Sequence, residues 1–198
     1  MRLRILFAST ALTLAACGGG GGSNESAEAS DSLATDNMAT GEPATGNEAG
    51  TAEPGSAADY VATASASDMF EIESSRLAQE KAQDADVKAF ARMLVTDHEK
   101  STVDLKTAAA QAQPPIPVSP AMTAEQQANL QALQGASGAD FDTLYLSQQI
   151  PAHEKALALV QAYAASGDAA PIKQHATTVS GPIQRHLEEA RKLQAGGQ

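Results

Sequence analysis

Hydrophobic residues recur at helical spacing along the chain from about residue 56 to residue 195. Apolar residues lie three and four positions apart in long segments, and the alternation of period two that is typical of a strand does not persist. Proline and glycine interrupt this pattern and so predict five helices. These helices cover residues 59–82, 84–112, 123–134, 139–166 and 169–195.

Four of these helices are long and amphipathic, which predicts an all-α protein built as an antiparallel four-helix bundle. The segment between Ala112 and Gly138 is long enough to cross from one end of the bundle to the other, and it carries the short helix. Capping boxes at Ser56–Asp59 and Thr123–Gln126 predict where the first and third helices begin. We therefore expect one helical domain over residues 59–198.

The N-terminus carries the pattern of an exported protein. Two arginines precede an apolar run, which predicts a secretory signal peptide over residues 1–16, too short to span a membrane. The only cysteine, Cys17, follows Leu14-Ala15-Ala16 and resembles the cysteine of a bacterial lipobox. This resemblance implies lipidation of Cys17 and an outer-membrane lipoprotein that faces the periplasm of the cell envelope. The alternative is a secreted protein cleaved near Ala16.

Composition predicts a tether between the lipid and the bundle. Residues 17–58 are rich in glycine, alanine, serine and glutamate, with seven acidic residues and no lysine or arginine, so we expect disorder. The whole chain has 13 basic and 24 acidic residues, and a net charge of −11. Such a surface repels nucleic acid and anionic head groups. The lipid on Cys17 is therefore the expected membrane contact.

Titratable side chains lie within the predicted apolar stripes of four helices. They are Glu73, His98, His153 and His186. Carboxylate and imidazole groups that converge inside a bundle can bind iron, zinc or copper. The helical rise places Glu73 and His98 at levels roughly 7 Å apart, near the limit for one shared site. The alternative is that each histidine is neutral, buried and hydrogen-bonded to a carboxylate such as Asp97 or Glu73.

Several short runs in these helices resemble one known family. The runs are Asp68–Glu73, Asp84–Phe90, Asp97-His98, Phe141–Tyr145, His153–Ala156 and His186–Ala190. They resemble the domain-of-unknown-function 4142 family. The resemblance implies a ferritin-like antiparallel four-helix bundle, with a long crossover that carries a short extra helix. Members are often labelled outer-membrane proteins and have no established activity.

The residues around the histidines argue against a di-iron enzyme. Ferritin-like di-iron sites need a Glu-x-x-His motif on two helices. The residues three positions before the four histidines are Val95, Ile150, Ile172 and Ile183. We therefore interpret the chain as a lipid-anchored, non-enzymatic module that binds a protein or small ligand. The alternative is a metal-binding or metal-storage protein, and the third hypothesis is a redox enzyme.

Overall fold

The computed structural model describes residues 55–196, and all five predicted helices lie within this range. They are α1 (Ala57–Lys81), α2 (Ala85–Gln111), α3 (Ala124–Gly135), α4 (Gly138–Ser166) and α5 (Ala170–Gly196). The described part of the chain contains no β-strand. The all-α prediction is confirmed, and the helix ends agree with the predicted ones to within two residues.

Side-chain caps explain where the helices begin. Ser56 and Asp59 form the predicted capping box of α1, and Thr123 and Gln126 form that of α3. Each pair satisfies backbone N–H groups that have no partner inside the helix. The side chain of Asp84 accepts hydrogen bonds from the backbone of the first turn of α2.

The four long helices form a ring in the order α1, α2, α5, α4, and neighbours in the ring are antiparallel. Antiparallel pairing of α1 with α4 follows from contacts such as Ser75 with Tyr145 and Glu71 with His153. Helices α2 and α4 therefore run in the same direction. The chain between them must cross the full length of the bundle, as predicted, and α3 lies in this crossover against α1 and α4.

The turns at one end of the bundle are held by specific contacts. The Asp142 carboxylate accepts hydrogen bonds from the backbone N–H of Gln83 (3.0 Å) and of Asp84 (2.8 Å), which joins the α1–α2 turn to α4. At the other end, a Cβ on Gly167 would lie 2.4 Å from the Tyr163 ring, so the α4–α5 turn needs a glycine. No described helix is long and apolar enough to cross a membrane.

The interior consists of two apolar clusters with a polar layer between them. One cluster includes Tyr60, Leu105 and Ile172, and the other includes Phe90 and Phe141. On each long helix, the stretch between the two clusters carries buried polar side chains. They are Asp68, Glu71, His98, Gln149, His153 and His186. Burial of polar groups is costly unless they find partners, so this layer is the natural candidate for a functional site.

Candidate metal centre

Three buried histidines from three helices meet in the polar layer. His98 comes from α2, His153 from α4 and His186 from α5, and their exposed fractions are 6%, 1% and 2%. One ligand atom from each lies within 4.8 Å of the ligand atoms of the other two. Their ring centroids are 5.4–5.8 Å apart. We call His98, His153 and His186 the triad.

Each triad ring uses one nitrogen in a hydrogen bond to a group outside the triad. His98 Nδ1 lies 2.8 Å from Asp68 Oδ1, and His186 Nε2 lies 2.9 Å from Asp97 Oδ2. His153 Nδ1 lies 2.9 Å from the backbone carbonyl of Gln149 in the preceding turn of α4. Because a carbonyl or a carboxylate accepts, the histidine nitrogen is the donor in each pair.

The remaining nitrogens of the triad are buried and have no hydrogen-bond partner. They are His98 Nε2, His153 Nε2 and His186 Nδ1. In a neutral imidazole, the nitrogen that does not carry the proton has a free lone pair. When all three imidazoles are neutral, three lone pairs are therefore available among these buried side chains. Metal-bound histidines have the same arrangement, in which the second ring nitrogen donates to a carboxylate or a carbonyl.

A buried glutamate from α1 completes the layer. Glu71 is 1% exposed, and its Oε1 lies 3.9 Å from His153 Nδ1. Its Oε2 has no hydrogen-bond partner. Burial raises the pKa of Glu71 to about 7, although the charge of His98 and a hydrogen bond from Gln149 act in the opposite direction. Helix α1 thus adds two acidic groups, Asp68 and Glu71, to the histidines of the other helices.

The surroundings of the triad favour neutral imidazoles at two of its positions. Burial, together with the charges of His98 and His186, lowers the pKa of His153 to about 3. Burial also lowers the pKa of His186, against the opposing effect of its bond to Asp97. For His98, the effect of burial is outweighed by the bond to Asp68 and by nearby carboxylates, so its pKa is raised. A neutral imidazole is the form that binds a metal ion.

The structure brings together three of the four predicted metal ligands. Glu73 lies apart from them: its side chain is 46% exposed and pairs with Arg76 at 3.1 Å. Its predicted place within the buried stripe is therefore wrong. The buried carboxylate of α1 is Glu71, two residues earlier. The predicted lipidation site, Cys17, and most of the predicted tether lie outside the described residues.

The pattern of α1 explains why Asp68 and Glu71 were missed. By helical spacing, Glu73 lies in line with the apolar residues Phe70 and Leu77, which predicts that it is buried. The buried face instead runs from Tyr60 through polar positions to Ala78. Between these ends the face carries Asp68, Glu71 and Ser75, at intervals of three and four residues. The helical spacing was present in the sequence, but the polarity of these residues concealed it.

The fourth histidine, His175, belongs to a different environment. Its Nδ1 lies 2.9 Å from the hydroxyl of Tyr60, and its Nε2 lies 3.5 Å from Oγ of Ser101. Both ring nitrogens therefore have hydrogen-bond partners, unlike those of the triad. Burial lowers the pKa of His175. We interpret His175 as a satisfied core residue, although its partners are hydroxyl groups and not the carboxylate that the alternative interpretation of the sequence expected.

Comparisons with known proteins agree with this fold. The family model described as a domain of unknown function (DUF4142) matches residues 41–193. CopM in the Cu(II)-bound form is similar with a TM-score of 0.61 and 18% identity, covering 72% of this chain and 97% of that chain. CopM in the Cu(I)-bound form has a TM-score of 0.58 and 20% identity, covering 70% of this chain and 94% of that chain. CopM in the Ag-bound form has a TM-score of 0.58 and 19% identity, and it covers the same shares of the two chains. No curated protein matches the chain.

Proposed function

The chain belongs to the DUF4142 family, and we propose that its bundle binds a transition-metal ion, copper in particular, at the triad. One observation carries the proposal: three buried histidines bring ligand atoms within 4.8 Å of one another, and each has a ring nitrogen without a hydrogen-bond partner. Leaving such groups unsatisfied costs about 1–3 kcal/mol each. A bound ion would satisfy all three at once, and the hydrogen bonds to groups outside the triad already hold each ring in the tautomer that binds metal.

The ligand set supports copper or zinc more than a hard cation. Imidazole nitrogen suits copper, zinc, iron and nickel, whereas magnesium and calcium take oxygen ligands. Copper is favoured within this group because the similar fold of CopM holds Cu(I), Cu(II) and Ag. For nitrogen atoms at 2.0–2.1 Å from one ion, the separation between ligands is about 3.4 Å. The triad would therefore contract slightly on binding.

The acidic residues around the triad support a binding role rather than di-iron catalysis. Asp68 and Asp97 accept hydrogen bonds from His98 and His186. They thus orient ligands, as outer partners do in known metal sites. A di-iron site would use carboxylates as bridging ligands. We therefore propose storage or sequestration of the ion as the role of the bundle.

Metal titration of the full chain, purified without an affinity histidine tag, tests the proposal. Addition of Cu²⁺ or Ag⁺ at 100 times the dissociation constant should stabilise the fold by about 2.7 kcal/mol. H98A, H153A and H186A should each abolish this gain. H175A is the matched control, because it also removes a buried histidine and should keep metal binding.

The readouts are a thermal unfolding scan and the dissociation constant from calorimetry. Loss of stability on histidine substitution is not by itself support, since a cavity and lost hydrogen bonds cost about 1–4 kcal/mol in any core. A wild-type chain whose unfolding temperature no tested metal shifts would contradict the proposal. So would triad variants that bind as tightly as the wild type.

We further propose that the bundle is held at the outer membrane, on its periplasmic side, by a lipid on Cys17. The support is the sequence Leu14-Ala15-Ala16-Cys17 after a basic and apolar start. The mature chain would carry 11 basic and 24 acidic residues once Arg2 and Arg4 are removed with the signal. An acidic surface attracts metal cations towards the bundle.

A further inference from the structure

A small cavity lies beside the triad, between α2 and α5. Its volume is about 150 Å³, and His98 and His186 form part of its wall. Both histidines are more than nine-tenths buried, and each has one ring nitrogen without a partner. The outer wall includes Lys100 and Asp104, whose side chains are 69% and 40% exposed. The cavity therefore connects the triad to solvent-exposed charges.

We propose that this cavity is the route by which the metal cation enters and leaves the triad. The inference rests on the proposed function and adds the path of exchange, together with the side chains that control it. Three carboxylates line the cavity, belonging to Asp68, Asp97 and Asp104, against the single ammonium of Lys100. A passage whose charged groups are mainly acidic concentrates cations and excludes anions.

The α5 side of the cavity is shaped by a proline. Pro182 lies inside α5 and has no N–H to donate to the carbonyl of Thr178, one turn earlier. Thr178 and Pro182 both line the cavity. The carbonyl of Thr178 thus loses its usual helical partner at the wall of the passage.

The mouth of the passage is occupied by an ion pair. Lys100 and Asp104, one turn apart on α2, are in direct contact. An incoming cation competes with the Lys100 ammonium for the Asp104 carboxylate. Asp104 should therefore speed entry and Lys100 should slow it. The triad itself determines how tightly the ion is held.

Stopped-flow mixing of the full chain with Cu²⁺ tests the route. The absorption band of Cu²⁺ bound to imidazole nitrogen reports binding, and this signal does not depend on the aromatic residues of the variant. T178W places a bulky ring at an exposed position of the cavity wall. T177W is the matched control, because Thr177 is the neighbouring exposed residue and does not line the cavity.

T178W should slow association and dissociation of Cu²⁺ by the same factor, about fivefold or more, and leave the dissociation constant unchanged. A barrier on a route affects passage in both directions equally. T177W should exchange Cu²⁺ at the wild-type rates. H98A removes a proposed metal ligand and should instead raise the dissociation constant for Cu²⁺.

Charge variants at the mouth give an independent test. D104N should lower the association rate constant about two- to fivefold at low salt, and K100Q should raise it by a similar factor. E99Q is the control: Glu99 is an exposed acidic residue of the same helix, but it pairs with Arg76 and does not line the cavity. It should have little effect.

The outcomes separate the route from the function. Equal slowing by T178W and T177W, or wild-type rates in both T178W and D104N, would overturn the route while metal binding stands. Equal slowing by D104N and E99Q would show an effect of net charge alone and would also overturn it. A wild-type chain without histidine-dependent Cu²⁺ binding would remove the proposed function and the route together.

Discussion

At the residue scale, the buried carboxylate of Glu71 is costly to the fold. It is fully enclosed, and Oε2 has no hydrogen-bond partner. An ionised carboxylate in such a place loses its hydration, which is why burial raises the pKa of Glu71 to about 7. A metal cation bound nearby would offset this cost, because its positive charge stabilises the ionised carboxylate.

The pH dependence of stability follows from this shift. Glu71 has a higher pKa in the fold than in the unfolded chain, where the ordinary value is 4.5. The folded state therefore binds the proton more tightly, and Glu71 lowers the stability of the fold as pH rises from 4.5 to about 7. Above pH 7 the cost is constant, and below pH 4.5 it is absent.

E71Q should therefore stabilise the metal-free protein at pH 8, by on the order of 2–3 kcal/mol, because an amide keeps the shape and carries no charge. The gain should shrink on acidification and vanish near pH 4. Denaturant unfolding across this pH range measures it. E73Q is the control, since Glu73 is half-exposed, and it should change stability by less than about 0.5 kcal/mol. Destabilisation by E71Q at pH 8 would contradict the prediction that the ionised Glu71 carboxylate destabilises the metal-free fold.

At the scale of the helix, the number, order and ends of the helices could be predicted from the sequence, because capping residues and prolines act locally. The predicted start of α3 at residue 123 lies one position from Ala124, where the helix begins. The three histidines could also be predicted, since apolar neighbours mark their stripes. The buried face of α1 could not, because polar side chains occupy it. Their burial depends on partners from other helices, which spacing within α1 does not reveal.

The junction between the two helical hairpins offers a test at this scale. Asp142, near the start of α4, accepts hydrogen bonds from the backbone of the α1–α2 turn. D142A should lower the free energy of unfolding by about 1–3 kcal/mol, because it removes hydrogen bonds to an ionised carboxylate. Metal affinity should stay the same, since Asp142 does not line the cavity beside the triad.

D140A is the matched control for this variant. Asp140 lies in the first turn of α4, two residues before Asp142, so its removal also takes a negative charge from the N-terminal part of the helix. That effect is worth about 0.3–1 kcal/mol. Thermal or denaturant unfolding measures the loss in free energy of unfolding for each variant. Equal losses in D142A and D140A would mean that the hydrogen bonds across the junction contribute nothing.

At the scale of the whole molecule, the crossover places the site. Because α2 and α4 run in the same direction, all four long helices present their middle turns at one level. The buried polar layer at that level contains His98, His153 and His186, and the first and last of these are 88 positions apart in the chain. Each hairpin alone supplies only part of the triad: α2 gives one histidine, and α4 and α5 give two. Metal binding should therefore require the assembled bundle.

The anchor is the last prediction at this scale. A thioether-linked lipid holds a protein to a bilayer through its buried methylenes, at about 0.8 kcal/mol each. C17S removes the thiol, so it should release the chain from the membrane fraction or block its processing. Fractionation of cells with immunodetection measures this. G18S, which changes the next residue and keeps the thiol, should stay with the membrane. Because Cys17 is remote in sequence from the bundle, the C17S protein should bind Cu²⁺ as the wild type does. A processed C17S chain that remains in the membrane fraction would contradict the lipid anchor.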